Sequence, residues 1–127
     1  MNDDLRKVLE LAAQAIVDKK GVNVISLDVR DVSAVAEYVI VAEGRVDRHV
    51  IALADHLQRE LRKHGVRPAY VEGMQNGDWI VIDYIGVMIH LFMPGLREKY
   101  QLERLWSDGK LLELELDLGD QTAANMV

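Results

Sequence analysis

The sequence predicts an α/β sandwich, a mixed β-sheet with helices packed on it in the order α-β-β-α-β-β-β-α. Three observations carry this expectation. Two long segments repeat apolar residues at helical spacing, several short segments are rich in β-branched residues or alternate apolar with polar, and turn residues separate them. The chain has 127 residues, 50% of them hydrophobic, enough to bury one core without metal or disulfide staples.

Leu5, Val8, Leu9, Ala12 and Ile16 predict the first helix. Asn2 or Asp3 can cap it, Lys19 and Lys20 suit its C-terminal dipole, and Gly21 is expected as its left-handed stop. Val22–Asp28 reads as a strand and 30–34 as a polar connection. Glu37–Ala42 reads as a second strand, because Tyr38, Val39, Ile40 and Val41 favour a pleated surface. Asp47 is expected to cap a second helix running to about His64, with Val50, Leu53, Ala54, Leu57 and Leu61 as its apolar stripe. Gly65 and Pro68 end it, and Ala69–Val71 is a short strand. Asn76, Gly77 and Asp78 signal a turn. Pro94 favours the start of a last helix over Leu96–Trp106. Residues 1–109 are therefore expected to form the domain. Residues 110–127 are expected to be an acidic tail, either a loosely docked strand or disordered.

The stretch between Asp78 and Met93 is the most informative. Trp79–Tyr84 and Val87–Phe92 read as a β-hairpin around Ile85 and Gly86, with Tyr84 opposite Val87, Asp83 opposite Met88 and Trp79 opposite Phe92. Side chains alternate between faces. Ile80, Ile82, Tyr84, Val87, Ile89 and Leu91 then share an aliphatic face that belongs under the helices. Trp79, Val81, Asp83, Met88, His90 and Phe92 share the other. Asp83 and His90 fall on diagonal positions, where they can pair. This second face is either a docking surface, with large aromatics and a few charges, or a second core face holding an Asp–His pair.

Composition excludes several classes. Fifteen Lys and Arg against twenty-one Asp and Glu leave a net charge of -6, unsuited to wrapping nucleic acid and suited to a basic protein partner. There is no cysteine, hence no disulfide, thiolate nucleophile or zinc–thiolate site. No apolar run reaches the roughly 18 residues of a membrane span, and the N-terminus reads as no targeting peptide, so a cytoplasmic address is expected. His56 and His64 are about 12 Å apart along one helix at about 1.5 Å per residue, too far to share a metal ion. The turn at Gly44, Arg45 and Val46 enters a helix, but Asp47 takes the place an anion would need. Glu113, Glu115 and Asp117 share one side of an extended tail and read as solvated. No nucleophile, base and orienting group fall into a catalytic pattern. The expectation is no catalytic residue, no cofactor and no metal.

Several strings occur together in a familiar order. They are Leu27-Asp28-Val29, Tyr38-Val39-Ile40, Asp47-Arg48-His49, Ala54-Asp55-His56, Val71-Glu72-Gly73, Asp78 to Asp83, Ile89-His90-Leu91-Phe92 and Arg97 to Trp106. From about residue 5 to 107 the chain resembles the ribosomal silencing factor (RsfS, iojap-like) family. The resemblance implies a nucleotidyltransferase-like α/β topology without the catalytic acids of those enzymes. It implies binding to the large ribosomal subunit through its fourteenth protein, hindrance of small-subunit joining, repression of translation, and homodimers. On this reading Trp79 is the apolar anchor, Asp83 and His90 are polar contacts, Tyr84 and Met88 widen the patch unless Tyr84 belongs to the core, and Arg48 supports the loop at the sheet edge. Two places depart from the family pattern: Ile85-Gly86 stands where Gly-Asp is usual, and Glu43-Gly44-Arg45-Val46 where a Thr-Gly-x-Ser string is usual. A nucleotidyltransferase-like nucleotide-binding enzyme is the alternative, and a homodimeric scaffold is a third reading. Neither a membrane nor sequence-specific nucleic acid is expected as a partner.

Overall fold

Local sequence signals and long-range pairing combine into a six-stranded mixed sheet in the computed structural model, which describes residues 3–96, 109–114 and 116. The elements are α1 (Asp3–Asp18), β1 (Val22–Asp28), β2 (Ala36–Glu43), α2 (Asp47–Lys63), β3 (Tyr70–Glu72), β4 (Trp79–Asp83), β5 (Gly86–Phe92) and β6 (Lys110–Leu112). The expected order is observed from the first helix through the hairpin. The helix expected over Leu96–Trp106 lies, beyond Leu96, outside the described residues, as do Asn2 and the chain from 117 on.

The strand order is β3-β4-β5-β2-β1-β6. Among the described strands only the central pair, β2 with β5, is parallel; β1–β2, β1–β6, β3–β4 and β4–β5 are antiparallel. The parallel pair needs a long crossover, and α2 supplies part of it. Of the two alternatives for the tail, Lys110–Leu112 take the strand one. They pair with Asp28, Leu27 and Ser26, and Leu112, Leu114 and Leu116 pack on the main core. This covers an edge of β1 that would otherwise invite pairing with other chains.

Helices α1 and α2 lie on one sheet face. Leu9, Ala12, Ala13 and Ile16 of α1 and Val50, Leu53, Ala54, Leu57 and Leu61 of α2 form one cluster with Tyr38, Ile40, Ala42, Ile80, Ile82, Tyr84, Val87, Ile89 and Leu91. Each fully buried Leu or Ile here contributes about 1.5–3 kcal/mol relative to exposure. The aliphatic face read from the alternation is therefore the face that the helices cover.

Two helix-end expectations are corrected. The left-handed residue after α1 is Lys20 (φ 67°), not Gly21. Gly21 is needed instead because a Cβ there would run into the Ile16 side chain. Asp47 does not sit at the cap position of α2: it is the first helical residue, and Val46, the extended residue before it, makes no side-chain cap hydrogen bond. Asp47 Oδ1 instead accepts the Arg48 N–H at 2.7 Å, which still satisfies an open first-turn donor. His49 joins this end to α1. Its Nδ1 accepts the Arg45 N–H at 2.9 Å, so Nε2 carries the proton and donates to the Lys19 carbonyl at 2.8 Å.

Candidate functional site

The hairpin geometry is as expected. Trp79 pairs with Phe92, Val81 with His90 and Asp83 with Met88. The Tyr84 N–H donates to the Val87 carbonyl at 2.9 Å, closing a loop of Ile85 (φ 56°) and Gly86 (φ 96°). Positive φ at both positions is the type I′ pattern that matches strand twist. Asp83 Oδ1 accepts the Ile85 N–H at 2.8 Å and holds the turn from one side.

The second face divides into a covered middle and an open margin. Val29, Ala36, Val39, Val41 and Phe92 form a second core, with Leu27, Trp79, Met88 and Leu96 packed on it. The middle of the sheet on this side is therefore the second core face that the alternation left as an alternative. Toward β4 and β3 the cover ends. Trp79, Val81, Asp83 and Met88 are partly exposed, and Tyr70 is 53% exposed.

These surroundings revise the roles of the expected site residues. Asp83 and His90 do not pair with each other. Asp83 turns to its own loop, while His90 Nδ1 accepts the Trp79 Nε1–H at 3.1 Å. His90 is only 6% exposed, so it is no direct surface contact. Burial pushes its pKa down to about 4, because the apolar surroundings disfavour the charged ring. A neutral imidazole with Nδ1 as acceptor carries its proton on Nε2. The Trp79 and His90 rings lie 6.0 Å apart and tilted, and the Phe92 ring meets Trp79 edge-on at 6.4 Å. Trp79 is thereby aimed by two buried rings, one through a hydrogen bond and one through edge-to-face packing.

Tyr84 faces the helices and is 7% exposed, so it belongs to the main core and not to the face of Trp79. Its hydroxyl is buried without a hydrogen-bond partner among the described residues, and burial raises its pKa to about 12. Met88 stays on the second face beside Asp83, as expected. Arg48 is exposed in the first turn of α2, which follows directly on the end of β2. Because β2 and β5 run parallel and Phe92 pairs with Trp79, Arg48 and Trp79 stand at the same end of the sheet.

Three residues escaped the sequence reading. Gly73 (φ 95°) lies so close to the Trp79 carbonyl that a Cβ would collide with it, which places the start of β4. Its sequence signals are a glycine between a short strand and a turn and its place in the Val71-Glu72-Gly73 string, neither of which announces this close approach. Glu43 is 8% exposed and accepts the Asn23 Nδ2–H at 3.2 Å, a buried carboxylate that nothing in the local pattern of β2 announces. Asn23 itself takes a left-handed conformation (φ 52°) where β1 is irregular.

Among the described residues, no group of His, Asp and Glu is close enough to hold a metal ion. None of their helices is long and apolar enough to cross a membrane. The site offers an anchored indole, flanking apolar side chains and carboxylates, which suits docking on another macromolecule.

The family model described as "Ribosomal silencing factor during starvation" matches residues 2–126. The chain is 32% identical over 110 residues to the ribosomal silencing factor RsfS of Halalkalibacterium halodurans, covering 87% of this chain and 94% of that one. It is 31% identical over 74 residues to a mouse protein named mitochondrial assembly of ribosomal large subunit protein 1, covering 56% of this chain and 32% of that protein. A crystal structure of a Chromobacterium violaceum protein superposes with a TM-score of 0.78 at 32% identity, covering 90% of this chain and 92% of the other. The chain belongs to the ribosomal silencing factor (RsfS) family.

Proposed function

We propose that this protein is a ribosome-associated, non-enzymatic silencing factor that docks on the large subunit and keeps the small subunit from joining. Family membership supports the ribosomal role. The observation that carries the docking mode is the Trp79 indole, held partly exposed at the border of the second sheet face by buried His90 and Phe92. A large aromatic side chain fixed before contact loses little conformational freedom on binding, which is what an interface anchor needs. Asp83 and Met88 extend the contact, Arg48 borders it, and His90 acts by positioning Trp79. The net charge of -6 favours encounter with a basic ribosomal protein, the fourteenth of the large subunit by family resemblance. An interface of about 800 Å² per partner suffices. Silencing is then steric, because the bulk of the domain stands where the small subunit would sit.

Co-sedimentation with isolated large subunits tests the anchor. Trp79→Ala is expected to lose at least about tenfold in retention while keeping the far-UV circular dichroism spectrum. Unchanged retention removes the anchor role. A gradient of separated subunits, with and without the protein, tests the steric step: joined particles forming equally in both would refute it. A homodimer that uses the same face would compete with docking, and retention would then rise on dilution.

A further inference from the structure

The open margin of the second face does not stop at the hairpin. Strand β3 pairs with β4 so that Tyr70 stands opposite Asp83 and Glu72 opposite Val81. Directly opposed residues point to the same side of a sheet. Tyr70 and Glu72 therefore lie on the face of Trp79, Val81 and Asp83, whereas Val71, opposite Ile82, packs into the main core. Tyr70 is 53% exposed and Glu72 is exposed. The Tyr70 hydroxyl donates to Glu72 Oε1 at 3.0 Å, and this bond to a carboxylate raises the Tyr70 pKa.

The charge of this strip has one sign. β3, β4 and β5 contain no Lys or Arg, and their only carboxylates are Glu72 and Asp83. His90, their only imidazole, is buried and neutral. Two exposed or partly exposed aromatic rings, Tyr70 and Trp79, thus share a face with two carboxylates. A guanidinium is the group that such a face recognises best. It stacks on an aromatic ring and takes a carboxylate with its planar fork in the same approach. Strands about 4.8 Å apart and about 3.4 Å per residue make the strip roughly 10 by 15 Å, the scale of an interface centre.

We propose that Tyr70 and Glu72, with Asp83 and Trp79, form an acidic–aromatic strip that takes an arginine-bearing segment of a protein partner. This rests on the docking reading above and names the chemistry of its partner. Glu72 and Asp83 meet guanidinium groups, Tyr70 offers a ring face already turned by its bond to Glu72, and Trp79 closes the apolar end.

Two measurements test it. In the first, hexa-arginine is titrated into the ¹⁵N-labelled full chain, and amide shifts are followed by NMR. Shifts concentrated at 70–72 and 79–83, and abolished in Glu72→Gln/Asp83→Asn, are expected. Shifts concentrated instead at the acids of α1 would overturn the proposal. In the second, retention on isolated large subunits is compared for Tyr70→Ala, Glu72→Lys and Trp79→Ala. Both strip variants replace exposed side chains and are expected to stay folded. Glu72→Lys should weaken retention about tenfold or more, and Tyr70→Ala by several-fold. If Trp79→Ala lowers retention and neither strip variant does, the docking reading stands and the strip is refuted. If the wild-type chain is not retained at all, the docking reading falls, and the NMR titration alone decides whether the strip takes arginine.

Discussion

Acidification should weaken this fold through one buried side chain. In the unfolded chain the His90 imidazole titrates near 6.5, and in the folded chain burial holds it to about 4. Between those values the unfolded state binds a proton that the folded state refuses. The stability that depends on neutral His90 is fully present above pH 6.5. It falls by about 1.4 kcal/mol per pH unit below that and is lost once the pH passes through about 4. Moving from about pH 7.5 to about pH 4.5 therefore costs roughly 2–3 kcal/mol, a large share of a typical domain's stability. Protonation at Nδ1 would also remove the acceptor for the Trp79 indole N–H. Asp28, held below its ordinary carboxylate range by its hydrogen bonds to Arg30, contributes fully above pH 3.8 and loses its part only below that, outside this window. Other groups are separated by comparison with His90→Asn, which keeps an acceptor near the Nδ1 position and has nothing to titrate. Urea unfolding followed by circular dichroism at several pH values reads the result. The wild type is expected to shift its midpoint by about 1–2 M across the range, and His90→Asn by much less. Parallel decline in the two proteins would show that burial of His90 is not the source.

Three further outcomes are expected. Ile85→Asn should stabilise the protein by about 1 kcal/mol, because a β-branched residue at φ 56° is strained and asparagine tolerates that conformation. Thermal unfolding should show a rise of about 3–6 °C, and a fall would mean that the Ile85 side chain makes compensating contacts. Tyr84→Phe should be neutral or stabilising by up to about 1 kcal/mol, since it removes a buried hydroxyl without a partner among the described residues, and large-subunit retention should not change. A clear loss of stability would reveal a partner for that hydroxyl. Gly73→Ala should cost about 2–4 kcal/mol by combining an unfavourable φ of 95° with a collision at the Trp79 carbonyl. An unchanged urea midpoint would refute the close approach.

The candidate site was legible in outline from strand alternation. Period-two spacing places Trp79, Asp83, Met88 and His90 on one face and Tyr84 on the other, and the structure keeps that division. Alternation says nothing about what lies over a face. The burial of His90 and Phe92 depends on the packing of the second face. There Val29 and Ala36, at the ends of the β1–β2 connection, and Leu96, beyond β5, build a core that the hairpin sequence does not contain. The Asp83–His90 pairing failed for a related reason. Two groups on a diagonal compete with other partners, and here Asp83 accepts the Ile85 N–H while His90 accepts the Trp79 indole N–H.

The amino-acid sequence by itself determined the helices and strands through Gly95, the tight hairpin at Ile85-Gly86, the aliphatic face under α1 and α2, and the family. All of these follow from short-range periodicity, turn chemistry or ordered local strings. Only the tertiary structure decided that β2 runs parallel to β5, that Lys110–Leu112 close the β1 edge, and that β3 brings Tyr70 and Glu72 beside Trp79. These are pairings between segments far apart in the chain. Their register is set by which surfaces bury each other and not by any residue's own neighbours.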